Sequence, residues 1–220
     1  MPVSVTDKIK ILAELFTKPK TMSALLSQKY SGFLKDSGWF NAFESGKPID
    51  GEGNPLPWLT YSFIDFLTPR LNNQISVFEY GAGNSTLYFA KNVSKVIAVE
   101  HSNSWHEKIS KMVPANTSIL FQSESNKKEY ISSVLNAGIK FNIVLVDAIF
   151  RVECLETSIS ALENDGIIIL DDSERKEYFT GIDLLLRQGF RKLDFWGISP
   201  GYLYKKCTTV FYKNNNCLNI

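Results

Sequence analysis

Short apolar runs alternate with amphipathic segments along most of the chain, and this alternation predicts an α/β fold. The runs lack a polar alternation, which is typical of strands covered on both faces. Between them, apolar residues recur three and four positions apart, as in helices. We predict strands at 75–78, 95–100, 117–122, 141–147, 167–171, 191–195 and 208–212. We predict helices at 86–93, 103–112, 127–136, 151–162 and 176–188.

The end of the chain fixes the direction of the last two strands. Only residues 196–206 join them, which is too short for a helical crossover, so the pair must be antiparallel. A dinucleotide-binding domain would instead end on a parallel sixth strand. The pattern therefore predicts a mostly parallel α/β sheet of seven strands that ends in an antiparallel hairpin.

The first 70 residues have a different pattern from the rest. Helical spacing covers residues 6–17 and resumes after Thr21, a loop rich in glycine and proline follows, and Thr60 is placed to cap a helix over 61–67. We expect residues 1–70 to be N-terminal helices and a cap loop, packed on a core at 71–213 as one structural unit. The first helices suit a cap or a homodimer face, and simple packing on the sheet is the alternative.

A glycine turn follows the first predicted strand. Gly81 and Gly83 end the strand, and Ser85 is placed to cap the next helix. Glycines at such a corner let the backbone approach a ligand. Glu100 ends the second strand about 20 residues later, which suits a ribose diol. Thr86 stands where a dinucleotide fingerprint has its third glycine, which argues against a dinucleotide-dependent oxidoreductase.

The turn, Glu79-Tyr-Gly-Ala-Gly-Asn-Ser85, resembles motif I of class I S-adenosylmethionine-dependent methyltransferases, without the last glycine. The resemblance implies a Rossmann-like seven-stranded methyltransferase sheet with an N-terminal helical extension, and S-adenosylmethionine as cofactor. It implies cofactor contacts at Trp58, Tyr61, Glu79, Gly81, Gly83, Asn84, Ser85, Glu100, His101 and Asp147. Trp58 and Tyr61 are alternatively core anchors, and Ser123 and Glu124 are further candidates beside the adenine.

Acidic residues also end the fourth and fifth strands, as Asp147 and the pair Asp171 and Asp172. Neighbouring acids cannot all ionise without a compensating cation, and nothing in the sequence obviously provides one. Mg²⁺ would compensate them, so these three residues are the candidate metal ligands. In the alternative, Asp147 and Asp172 bind substrate or water while Asp171 caps the next helix. We expect Asp147 and Asp172 to be catalytic in either case.

The acidic pattern resembles that of cation-dependent O-methyltransferases of the catechol and caffeoyl-CoA type. Those enzymes have Asn where Asp172 stands, and a lysine base just after the aspartate that corresponds to Asp147; this chain has no such lysine. Residues 38–212 also resemble bacterial methyltransferase-like proteins, some associated with surface-polysaccharide genes. We therefore expect O-methylation of a small molecule or sugar. A non-catalytic methyltransferase-like binding protein is the main alternative, and a dinucleotide-dependent oxidoreductase is a weaker one.

Composition excludes some partners. The net charge is +1 and no dense basic cluster occurs, which argues against nucleic acid. No apolar stretch is long enough to cross a bilayer, and the start does not resemble a signal peptide, so we expect neither a membrane partner nor secretion. Three scattered cysteines indicate free thiols in a reducing cytoplasm.

Overall fold

The computed structural model describes residues 4–220, which form a seven-stranded sheet with α-helices around it. The strands are β1 (Ser76–Tyr80), β2 (Lys95–Glu100), β3 (Thr117–Phe121), β4 (Phe141–Val146), β5 (Leu162–Asp171), β6 (Arg191–Gly197) and β7 (Lys206–Tyr212). The helices are α1 (Val5–Phe16), α2 (Pro19–Ser27), α3 (Phe33–Asp36), α4 (Trp39–Ser45), α5 (Tyr61–Leu67), α6 (Asn84–Asn92), α7 (Asn103–Ser110), α8 (Lys127–Asn136), α9 (Arg151–Ala161) and α10 (Phe179–Arg187).

The strand order is β3-β2-β1-β4-β5-β7-β6. Strands β1 to β5 are parallel, and β7 runs antiparallel to both of its neighbours. The fold class predicted from the sequence, including the terminal hairpin, is confirmed. Because the parallel strands end at one edge of the sheet, the loops after β1, β2, β4 and β5 meet there.

Helices cover the sheet on both faces, and each face has its own apolar core. On one face, Phe63 of α5 and Phe89 of α6 are fully buried against the sheet. On the other face, Tyr130, Leu155 and Leu185 come from α8, α9 and α10. This double cover explains why the parallel strands are apolar on both sides.

The N-terminal helices differ in how they attach to this body. Helices α1 and α2 bury no residue, whereas α4 buries Trp39. The division at residues 70 and 213 stays a prediction; Leu218, beyond it, is buried in the core. The homodimer also stays a prediction. No helix among residues 4–220 is long and apolar enough to cross a membrane.

Three local details differ from the predictions. Ser85 does not cap the helix, because α6 already begins at Asn84. Thr60 occupies the N-cap position of α5, as predicted, but its hydroxyl donates to the carbonyl of Phe195 (3.1 Å) and makes no capping bond. Strand β5 begins at Leu162, ahead of the predicted start at residue 167, and its pairing with β4 shifts register there.

Candidate functional site

The turn after β1 brings the chain close to the end of β4. Gly81 has φ +97°, and a Cβ there would lie 2.8 Å from the carbonyl oxygen of Asp147. Only glycine fits this position without strain. Gly83 is different, because its φ is −177° and no atom lies within 4 Å of a Cβ built there. Any need for glycine at 83 must therefore come from a ligand and not from the backbone.

A cavity of about 330 Å³ opens beyond the carboxyl ends of β1, β2 and β4. The structure brings most of the predicted cofactor contacts to its wall. They are Trp58, Gly81, Gly83, Asn84, Ser85, Glu100, His101 and Asp147. We call this space the first cavity.

Glu100 is held in the wall of the first cavity by backbone N–H groups. Its Oε1 accepts a hydrogen bond from Ser102 N (2.7 Å) and its Oε2 accepts one from Ala82 N (3.2 Å). The side chain is almost fully buried. His101 Nδ1 also lies 3.2 Å from Oε1. The lone pairs that these contacts leave free can still accept bonds from hydroxyl groups.

One face of α7 and its C-terminal end form a wall that the sequence analysis missed. Trp105, Lys108, Ile109 and Met112 all line the first cavity. Trp105 is fixed there by a hydrogen bond from its Nε1 to the carbonyl of Ala82 (2.6 Å). The signal that would have found them is their spacing of three and four residues after His101, which places them on one side of a helix.

A loop also contributes to the wall of the first cavity, and it was not predicted from the sequence. Gly46, Lys47 and Pro48 line the first cavity, and Asn84 Nδ2 donates to the carbonyl of Pro48 (2.8 Å). Asn84 begins α6, so this bond ties the loop to the helix that follows the glycine turn. No sequence pattern links residues 36 positions apart in this way.

Other predicted contacts do not reach the first cavity. Tyr61 is buried in the core, edge-on to Phe33, and burial raises its pKa to about 12. It occupies a core position, as in the alternative interpretation, and it does not line the first cavity. Ser123 and Glu124 do not line the wall either.

Glu79 lies below the turn and not in the wall of the first cavity. It is fully buried, and neither of its carboxylate oxygens has a hydrogen-bond partner among residues 4–220. Burial raises its pKa to about 8, so the carboxyl carries a proton at neutral pH. Glu79 is therefore mostly uncharged at neutral pH.

Asp171, the last residue of β5, and Asp172, which follows it, form ion pairs with the same lysine. Lys206, at the start of β7, is 3% exposed. Its ammonium pairs with Asp171, lies 2.7 Å from Asp172 Oδ1, and donates to the carbonyl of Trp58 (3.1 Å). Both acids reach it because Asp172 adopts the left-handed conformation (φ +53°) beyond the strand. Burial by itself would lower the pKa of Lys206, but the two ion pairs together outweigh burial and raise it, so the ammonium stays protonated.

Two arginines complete this charge cluster. Arg151 donates to Asp147 (2.9 Å), and Arg175 pairs with Asp172. Three basic side chains thus provide the compensation that the sequence analysis assigned to Mg²⁺. No group of three or more His, Cys, Asp or Glu residues between positions 4 and 220 is arranged to hold a metal ion. The proposed metal ligation by Asp147, Asp171 and Asp172 is not supported.

A second cavity, of about 150 Å³, lies beside this charge cluster. Its walls are formed by Trp58, Asp147, Asp171, Asp172, Ser199, Tyr202, Tyr204 and Lys206. Trp58 and Asp147 also line the first cavity. The indole of Trp58 is fixed by its Nε1 bond to the carbonyl of Pro200 (3.0 Å). The two cavities therefore meet at a fixed indole and a carboxylate.

Comparisons with known proteins give matches among solved structures only. No protein-family model matches the chain, and no curated protein does. An O-methyltransferase of Streptomyces achromogenes involved in tomaymycin synthesis, solved with SAM, aligns with a TM-score of 0.55 and 12% identity, over 87% of this chain and 95% of its own. A SAM-dependent O-methyltransferase of Thermotoga maritima aligns with a TM-score of 0.51 and 15% identity, over 69% of this chain and 63% of its own.

A third structure, precorrin 8w decarboxylase of Methanobacterium thermoautotrophicum, aligns with a TM-score of 0.51 and 14% identity, over 70% of this chain and 88% of its own. It is described as a decarboxylase, so this likeness leaves the reaction open. At such identities the comparisons establish the architecture. The chain has the class I S-adenosylmethionine-dependent methyltransferase fold.

Proposed function

We propose that the first cavity binds S-adenosylmethionine and that its methyl group is transferred to a hydroxyl oxygen of a small molecule in the second cavity. The observation that carries this proposal is the junction of the two cavities at Trp58 and Asp147. Transfer between two molecules requires donor and acceptor to be held in contact and aligned.

The chemistry of the first cavity fits this cofactor. The Glu100 carboxylate has lone pairs left for the two ribose hydroxyls. Trp105, Ile109 and Met112 give the flat apolar surface that an adenine requires. When bound, S-adenosylmethionine supplies an electrophilic methyl carbon on a sulfonium sulfur, and the sulfur leaves as a neutral thioether.

Asp147 is the proposed proton acceptor. Its side chain is 30% exposed, unlike the nearly buried Asp171 and Asp172, and it lines both cavities. Burial outweighs the attraction of Arg151 and raises the pKa of Asp147, which makes it a better base than an ordinary aspartate. As the new carbon–oxygen bond forms, Asp147 would take the hydroxyl proton. Asp172 keeps its proposed role at the site as a contact for the acceptor.

One observation favours a second candidate, a methyltransferase-like protein that binds ligands without catalysis. Asp147 is engaged by Arg151, and Asp172 by Lys206 and Arg175. These ion pairs occupy carboxylate oxygens that a general base would need to accept the hydroxyl proton. The dinucleotide alternative is disfavoured, because β7 is antiparallel where a dinucleotide domain continues in parallel.

Calorimetry with S-adenosylhomocysteine and with NAD tests the cofactor. We expect only S-adenosylhomocysteine to bind. Methyl transfer to a panel of hydroxylated small molecules then tests Asp147→Asn, which should lose turnover and keep the affinity for S-adenosylhomocysteine. Asp65→Asn, at an exposed position of α5, is the matched control. Tight binding of NAD would overturn the proposal, and full activity of Asp147→Asn would remove Asp147 as the base.

A further inference from the structure

Three aromatic rings stand side by side along one wall of the second cavity. The ring centroids of Trp58 and Tyr202 are 5.8 Å apart, and those of Tyr202 and Tyr204 are 5.2 Å apart. All three side chains are more than one-third exposed. Rings left open to solvent in a concave site provide a flat apolar face for a ligand. The wall therefore suits a ring-shaped molecule.

The charged side chains beside the second cavity are already paired with one another. Asp147, Asp171 and Asp172 face Lys206, Arg151 and Arg175, three acids against three bases. A charged ligand entering this space would lose its hydration and find no uncompensated partner. The balance favours an uncharged acceptor.

The donors of Lys206 and Arg151 are engaged within the protein, and Arg175 does not line the second cavity. Lys206 directs its ammonium at Trp58 O, Asp171 and Asp172. Arg151 donates to the carbonyls of Ala148 and Asp171 and to Asp147. What remains for a ligand is mainly lone pairs on carboxylate oxygens. Such a site binds groups that donate hydrogen bonds, as hydroxyls do, and does not bind phosphates or carboxylates.

Ser199 adds an independent observation. It is 1% exposed, lines the second cavity, and its hydroxyl has no hydrogen-bond partner among residues 4–220. A buried polar group without a hydrogen-bond partner destabilises the folded protein. A ligand hydroxyl in the cavity would remove that destabilisation. Ser199 thus marks a second polar contact, in addition to Asp147.

We propose that the second cavity binds a neutral ring that carries at least two hydroxyl groups. The ring stacks on one of the exposed rings, Trp58 or Tyr202, whose planes are inclined by 50° to each other. One hydroxyl lies at Asp147 where the cavities meet, and another bonds to Ser199. The small cavity volume, about 150 Å³, places both hydroxyls on one ring. This inference rests on the proposed function, and it names the acceptor class. Both a catechol and a sugar ring have this chemistry.

Ligand-observed NMR on protein with and without saturating S-adenosylhomocysteine tests the proposal directly. The neutral probes are catechol and methyl β-glucopyranoside, and their charged counterparts are 3,4-dihydroxybenzoate, glucuronate and glucosamine. At least one neutral probe should bind about tenfold more tightly than its charged counterparts. Binding of catechol alone would assign an aromatic acceptor, and binding of the glucoside alone would assign a sugar.

Two variants locate the binding. Ser199→Ala and Tyr202→Ala should each weaken the neutral probe about fivefold to tenfold and leave the affinity for S-adenosylhomocysteine unchanged. Ser23→Ala and Tyr30→Ala, both at exposed positions, are the matched controls. The inference is wrong if a charged probe binds as tightly as the neutral one, if no neutral probe binds, or if both cavity variants behave as their controls do. Loss of S-adenosylhomocysteine binding alone, with the neutral probe still bound, would overturn the proposed cofactor and not the acceptor class.

Discussion

The two cavities at the carboxyl edge of the sheet are built in different ways. The first cavity takes most of its wall from residues close in sequence, in the turn after β1 and in the segment from Glu100 to Met112. The second cavity combines Trp58, Asp147, Asp172, Ser199 and Lys206, which come from widely separated parts of the chain. Local segments form a surface wherever they fold in the same way, whereas a composite surface exists only in the finished tertiary structure.

The forces that hold the two cavities differ as well. Backbone groups shape the first one, through the N–H bonds to Glu100 and the close approach of Gly81 to Asp147. Buried ion pairs around Lys206 shape the second. A single side-chain change should therefore damage the second cavity more severely than the first.

Lys206→Met should have the largest effect. The change leaves Asp171 and Asp172 buried without their shared cation, and breaking such a pair costs about 3–5 kcal/mol. Lys127→Met is the matched control, because Lys127 and its partner Glu153 are 49% and 42% exposed. It should change the free energy of unfolding by no more than about 1 kcal/mol. Urea denaturation of both variants measures the difference. Equal stability losses would show that the charge cluster does not hold the second cavity.

Glu79→Gln should have a higher free energy of unfolding than the wild type, by an amount that grows as the pH rises. The pKa of Glu79 is raised from 4.5 to about 8 in the folded state. Between these values the unfolded carboxyl ionises while the folded one keeps its proton, so the wild type loses stability with increasing pH, by up to about 1.4 kcal/mol per unit. Glutamine does not titrate, and the advantage of the variant should grow from pH 4.5 to 8. Unfolding curves over this range measure it, and a constant difference would contradict the raised pKa.

Gly81→Ala and Gly83→Ala sharpen the comparison within the first cavity. A methyl group at 81 would meet the Asp147 carbonyl at 2.8 Å in a left-handed backbone, whereas space is open at 83. We expect Gly81→Ala to lose at least about 1–3 kcal/mol of stability, and Gly83→Ala to lose about 1 kcal/mol or less. Thermal unfolding and S-adenosylhomocysteine affinity separate the two. If Gly83→Ala is the less stable variant, the turn is held differently.

Glu100→Ala should affect binding more than folding. It removes the acceptor proposed for the ribose hydroxyls, at about 1.5–3 kcal/mol for each bond lost, which is at least tenfold in affinity. Glu107→Ala, on the exposed side of α7, is the control. Calorimetry with S-adenosylhomocysteine measures both variants. An affinity within about twofold of wild type, in a folded protein, would remove Glu100 from the cofactor site.

The sequence by itself determined the order of strands and helices along the chain, the antiparallel terminal hairpin, the glycine turn and the position of Glu100 at the end of β2. These features are encoded locally, in the period of apolar residues and in short motifs. The spacing along α7 also held the information for Trp105, although the sequence analysis did not use it. Local information is sufficient for the first cavity because neighbouring residues form most of its wall.

Only the tertiary structure decided which basic side chains neutralise the negative charges of Asp147, Asp171 and Asp172. Lys206 is separated from Asp171 by 35 residues and from Trp58 by 148, and no local pattern connects them. The same is true of Ser199, which becomes a buried contact only when the hairpin folds over the edge of the sheet. Tyr61 shows the opposite case, since a position suited to the cofactor became a core position when α5 packed against the sheet. Burial and ion pairing depend on all surrounding elements at once, so they follow from the fold and not from the sequence pattern.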